Sequence, residues 1–192
     1  MQTMSVPLFM LAALAALFTF LSPALASTWL KTGKQTTRPY GHVEYCTRNA
    51  FDCRGRHADT ALPPARTNIL NAVNREVNRS IKAASDQTAF GRKEFWTANA
   101  RSGDCEDFAL AKRAKLRKIG FKASQLLLTM GYNGREAHTV LVVRTRDGDY
   151  VMDNLDDEVV PVQSARMSFR KIQAPDHGGK WLRVTGKTGR AP

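Results

Sequence analysis

Gly103-Asp104-Cys105-Glu106-Asp107-Phe108 is the stretch on which the reading of this 192-residue chain turns. Asp104 suits a helix N-cap, and Glu106 and Asp107 put negative charge in a first turn, where the helix dipole favours it. Lys115, Arg117 and Lys118 follow, and Gly120 ends the pattern, so a helix opens at Cys105. A thiol there is favoured as thiolate. Asp104 and Glu106 oppose this, because like charges raise a thiol pKa. A cationic partner is therefore needed.

Downstream, the period changes to that of strands. Ala123 to Met130 contains Leu126-Leu127-Leu128 and reads as a buried strand. Asn133-Gly134 marks a turn, and His138 to Thr145 is a Val-rich alternating strand. Asp147-Gly148 marks a second turn, Tyr150 to Leu155 returns, and Trp181 to Val184 suits a last strand. His138 thus heads one strand and Asp153 lies in the next. A cysteine at a helix start, a histidine base and an orienting carboxylate form a nucleophilic set. A two-residue turn at Asp147-Gly148 would place Asp153 opposite Val142, about 13 Å from His138. Direct opposition of His138 and Asp153 needs a longer loop near Arg144 to Asp147, or a bulge, and the longer loop is the expectation. On residue type alone, Cys105 is equally an inert buried thiol or a disulfide partner.

Upstream, Pro63-Pro64 suggest a helix start. Ile69, Val73, Val77 and Ile81 form one apolar stripe, the mark of a scaffold helix, with Asn71, Arg75, Asn78 and Lys82 elsewhere on its surface. Phe90 to Arg101 is a connection. Ser27 to Leu62 has no clear period and reads as an irregular N-terminal segment. Helices precede an antiparallel meander, so the fold class is α+β.

Residues 1–26 carry no charged side chain; Leu8 to Leu21 is nearly continuous apolar sequence, and Ala24-Leu25-Ala26 is a small-x-small site. This reads as a secretory signal peptide, the apolar run being short of the roughly 20 residues of a membrane span. The expected organisation is a signal over 1–26 and one domain over 27–192, periplasmic, with no stable membrane span after cleavage. The formal charge is +12. Secretion argues against nucleic acid as partner, and the spread of the charge, including Lys112, Arg113, Lys115, Arg117 and Lys118 on one helix, reads as a solvated basic surface.

Three cysteines in an oxidising compartment leave one unpaired. A local Cys46–Cys53 disulfide is favoured. His42, Cys46, Cys53 and His57 also form a symmetrical His-x3-Cys-x6-Cys-x3-His pattern that could hold zinc. Asp104, Glu106 and Asp107 suit calcium as an oxygen-rich cluster, or simply cap and charge a helix start.

These residues resemble the bacterial transglutaminase-like cysteine peptidases, the family of the LapG-type periplasmic proteases. The resemblance runs through Arg38-Pro39-Tyr40-Gly41-His42-Val43-Glu44-Tyr45-Cys46, Cys53, Phe95-Trp96, Gly103 to Phe108, His138-Thr139-Val140-Leu141 and Met152-Asp153-Asn154-Leu155. It implies a papain/transglutaminase-like fold with the cysteine's helix packed on an antiparallel sheet. It also implies Cys105 as nucleophile, His138 as base, Asp153 as orienter, and calcium at Asp104 and Glu106. In the well-known branch the substrate is a large surface adhesin, and an inner-membrane cyclic-di-GMP receptor sequesters the protease, controlling biofilm release. The same triad could serve an amidase or transglutaminase-type acyl transfer, because the groove chooses the acceptor. A non-catalytic, calcium-responsive binding module is the third reading, and the intact Cys105, His138 and Asp153 argue against it.

Overall fold

The computed structural model describes residues 27–58 and 61–189. The signal segment expected over 1–26 lies outside the described residues. Along the chain run β1 (Trp29–Thr36), α1 (Tyr40–Arg48), α2 (Ala50–Cys53), α3 (Thr67–Ser80), β2 (Lys82–Ala83), α4 (Asp86–Phe90), β3 (Ser102–Gly103) and α5 (Cys105–Lys118). A 3-10 turn (Ala123–Gln125) leads into β4 (Leu126–Asn133), β5 (Glu136–Thr145), β6 (Gly148–Met152), β7 (Val160–Pro161), β8 (Ser168–Ala174) and β9 (His177–Thr188). The α+β class holds.

Seven strands form one antiparallel sheet in the order β1-β9-β8-β4-β5-β6-β7. Both faces are buried, which is why β4 opens on three consecutive leucines instead of alternating. Leu126 and Leu128 join Leu70, Val73, Val77, Phe108 and Leu116 from α3 and α5. Leu127 joins Leu30, Val140, Val142, Val151 and Ile172 on the other face. Burying each such side chain contributes about 1.5–3 kcal/mol. The sheet curls until β1 meets the start of β6. Asp149 donates its N–H to Thr28 O at 2.8 Å, and its Oδ2 accepts from the Leu30 N–H at 2.9 Å.

Three expectations need correction. Ser27 to Leu62 is not irregular throughout, since it holds β1, α1 and α2. The period was hidden because β1 buries little beyond Trp29 and Leu30 at its start. The scaffold helix starts at Thr67 rather than at the proline pair. The β5–β6 hairpin has no long loop. Thr145 pairs with Gly148 across a two-residue connection, Arg146-Asp147, and Gly148 takes φ 125, open to glycine. The last pair is Leu141 with Met152. Continuing the register puts Asp153 level with Val140, one diagonal step from His138 and of the same parity, within side-chain reach.

Candidate active site

α5 begins at Cys105 as the sequence predicts, with Asp104 in the cap position, although the Asp104 side chain makes no capping hydrogen bond. β6 stops at Met152, so Thr139 on β5 lies beyond the last β5–β6 pair. Its backbone N–H donates to Cys105 Sγ at 3.3 Å. The neighbouring His138 meets Asp153 through Nε2 and Oδ1 at 2.7 Å. That bond leaves Nδ1 as the ring nitrogen not engaged by Asp153. The three residues singled out in the sequence are therefore brought to one place, the thiol beside the strand that carries the imidazole.

The thiol is electrostatically disfavoured as an anion. Burial raises the Cys105 pKa, the Glu106 charge adds to this, and so does Asp104, while the Thr139 N–H pulls the other way. The thiol also donates to Glu106 Oε2 at 3.2 Å. Asp153 behaves oppositely. Burial alone would raise its pKa, but the hydrogen bonds from His138 and Leu155, with the charges of His138 and Lys112, hold it below the ordinary carboxylate value. It is an anion suited to holding an imidazolium.

Around the start of α5 the structure gathers more carboxylates than the sequence indicated. Asp86 and Glu94 come within ligand distance of Glu106, and Asp86 also groups with Asp104 and Asp107. Among the described residues, Asp86 Oδ1, Asp104 Oδ1 and Asp107 Oδ2 are buried without a hydrogen-bond partner. The other oxygens of Asp86 and Asp107 accept from the backbone N–H of Phe95 and Thr97, respectively. Gly103 is required here, because a Cβ would lie 1.9 Å from Asp107 Oδ2. Burial raises the Asp86 pKa, raises Glu106 well above the usual range, and pushes Asp107 up to about 7. Buried oxygens left over in this number are costly in a closed site, and hard oxygen donors are what calcium takes. Two overlapping groups, Asp86 with Glu94 and Glu106 and Asp86 with Asp104 and Asp107, could hold a divalent cation. No local pattern marked Asp86 or Glu94, because they come from a different segment.

Cys46 and Cys53 form a disulfide with an S–S distance of 2.04 Å, and Cys105 is free. The four-ligand zinc arrangement is not present. His57 is exposed, whereas His42 is buried, accepting from Trp181 Nε1 at 3.1 Å and stacking on Tyr45. Burial, then the charges of Arg113 and Arg38, lower its pKa to about 3, so it is a neutral core histidine. The basic residues of α5 are not all solvated either. Arg113 is buried against Asp52 at 3.3 Å. Lys112 is fully buried on the Phe108–Leu116 stripe, and among the described residues its Nζ has no hydrogen-bond partner. A lysine four residues from each of two core side chains was the available signal. Burial lowers its pKa to about 7, with Asp153 and Asp157 opposing.

A cleft of about 430 Å³ opens beside Asp153, walled by Leu155, Asp156, Val160, Arg166 and Met167. Asp153 is in its wall and Cys105 is not.

The model of one family matches residues 32–189: bacterial transglutaminase-like cysteine proteinase, BTLCP. The chain belongs to this family. As a member it is a cysteine peptidase with a transglutaminase-like fold. Solved structures of Legionella pneumophila LapG are similar in fold. One is 22% identical, with a TM-score of 0.51, covering 62% of this chain and 71% of that one. A calcium-bound form matches at 22% identity and TM-score 0.50, over 65% of this chain and 75% of that one. An EGTA-treated form matches at 22% and 0.51, over 62% and 69%. Among curated proteins no relative matches.

Proposed function

We propose that this protein is a periplasmic, calcium-dependent cysteine endopeptidase whose triad is Cys105, His138 and Asp153. The observation that carries the reading is the 2.7 Å bond between His138 Nε2 and Asp153 Oδ1, next to the Thr139 N–H on Cys105 Sγ. His138 takes the thiol proton, and the imidazolium offsets the carboxylates that disfavour the thiolate. Sγ attacks a peptide carbonyl. The first backbone N–H groups of α5, which a helix leaves without internal acceptors, receive the oxyanion. His138 then protonates the leaving amine, a thioester remains on Cys105, and water hydrolyses it to return the thiol.

Asp104, Glu106, Asp86, Asp107 and Glu94 would hold calcium, whose charge lowers the cost of a thiolate beside two carboxylates. The calcium-bound and EGTA-treated forms of the LapG relative support this assignment. The resemblance in the motifs extends the proposal to a surface adhesin as substrate, controlled by an inner-membrane cyclic-di-GMP receptor. The uncharged, apolar 1–26 segment supports secretion, and among the described residues no helix is long and apolar enough to cross a membrane.

The test is mass spectrometry of cell-surface proteins incubated with purified protein and calcium, with Cys105→Ala as control. Fragments made only by the wild type are expected. Amine adducts in place of fragments would show acyl transfer, and unchanged proteins would contradict the peptidase.

A further inference from the structure

Asp153 sits one residue past the end of β6, in a segment without regular structure that runs to Val160. Sheet pairing therefore does not hold it on His138. Two local turns shape the segment from within: Leu155 N–H donates to Asp153 Oδ1 at 3.0 Å, and Glu158 N–H to Asp156 Oδ1 at 2.9 Å. Neither fixes where the segment lies relative to β5.

That placement comes from α3. Asn71, Asn74 and Asn78 are spaced by three and four and share one helix face. Asn78 Nδ2 faces three oxygens: Asp153 O at 3.1 Å, Asp156 O at 3.2 Å and Asp157 Oδ1 at 3.1 Å. Asn74 Nδ2 donates to Asp156 O at 2.7 Å. Asn71 Oδ1 accepts from the Val159 N–H at 2.8 Å. A helix has no spare backbone donors on its side, so side-chain amides are what such a helix can offer to irregular carbonyls. Asn74 is fully buried, and among the described residues the oxygens of Asn74 and Asn78 have no partner. These two asparagines hydrogen-bond the segment through their donor ends.

We propose that Asn78 and Asn74 are positioning residues, holding the 153–157 segment so that the Asp153 carboxylate stays on His138. This rests on the reading of Asp153 as the group that orients His138. Asn78 bonds to Asp153 itself, and Asn74 fixes the Asp156 carbonyl that Asn78 shares. The two act on the imidazole only through Asp153.

The test is the titration midpoint of His138, read by ¹⁵N NMR of the full chain, for wild type, Asp153→Asn, Asn78→Leu, Asn74→Leu and Asn78→Leu with Asp153→Asn. Loss of the Asp153 charge destabilises the imidazolium, so Asp153→Asn lowers the midpoint by about a unit or more. Each asparagine variant lowers it by a measurable part of that. In the double variant, Asn78→Leu adds nothing to Asp153→Asn, because its effect passes through the carboxylate. Asn78→Ala replaces Asn78→Leu if leucine prevents folding. An unchanged midpoint in folded Asn78 and Asn74 variants, with Asp153→Asn still shifting it, overturns the proposal and leaves the triad standing. An additive double variant also overturns it. An unchanged midpoint in Asp153→Asn overturns the triad reading instead.

Discussion

At the β5–β6 turn, Asp149 is fully buried and fully bonded; at the start of α5, Asp86 and Asp107 are buried and Asp104 is half-buried, each with one buried oxygen left without a partner among the described residues. Asp149 Oδ1 and Oδ2 each take an Arg144 nitrogen at 2.9 Å, and Oδ2 also takes the Leu30 N–H. Arg144 adds a bond to Leu30 O at 3.2 Å. Nothing remains for a ligand, and the pair closes the sheet's curl. The α5 cluster gathers carboxylates and, among the described residues, keeps spare acceptors. Buried charge that is complete is architecture, and buried charge that is incomplete calls for a partner from outside.

The largest expected effect breaks the complete side. Asp149→Ala leaves Arg144 buried and unpaired and should cost about 3–5 kcal/mol in urea unfolding. Replacing both residues with apolar side chains should recover most of that loss. An Asp149→Ala loss near zero would show that the pair is not what closes the curl.

On the incomplete side, calcium should raise the unfolding free energy of the wild type, by about 2.7 kcal/mol at one hundred times its Kd. Asp86→Asn with Asp107→Asn should weaken the response, and Asp104→Asn with Glu106→Gln should abolish it. A calcium-independent urea midpoint would return these carboxylates to a helix-capping role.

A smaller effect falls on Lys112, a cation with two carboxylates nearby but no hydrogen bond among the described residues. Lys112→Met should change stability at pH 7 by about 1 kcal/mol or less, in the stabilising direction, because an apolar chain of similar length suits the Phe108–Leu116 stripe. The pH dependence sharpens this. The folded pKa is lowered from 10.5 to about 7, so between those values the unfolded chain binds more protons. Wild-type stability from this group therefore rises with pH across that window and is lost as pH falls back through 7. The Met variant should lack this rise, and identical pH profiles would show that Lys112 titrates normally.

What could be read from the sequence follows the same division. Cys105 and its helix were legible because cap, acidic turn and basic end are local signals. His138 and Asp153 were legible as strand residues, but their meeting was not, since it depends on β6 ending at Met152 and on a diagonal step of the register. Asp86 and Glu94 were invisible, because carboxylates contributed from separate segments leave no spacing to read. Asn71 and Asn78 looked like the polar side of a scaffold helix, Asn74 gave no signal, and only the fold shows that all three face the segment after Asp153.

The central claim is that His138 activates Cys105. The most direct measurement is the second-order rate of Cys105 alkylation by iodoacetamide from pH 5 to 10, with calcium present, for wild type and His138→Ala. Cys105 is the sole free thiol, so the rate reports its thiolate. The wild type should react at pH 6 about ten-fold faster or more, as a thiol pKa lowered by a unit or more requires. Superimposable pH–rate profiles would contradict the account.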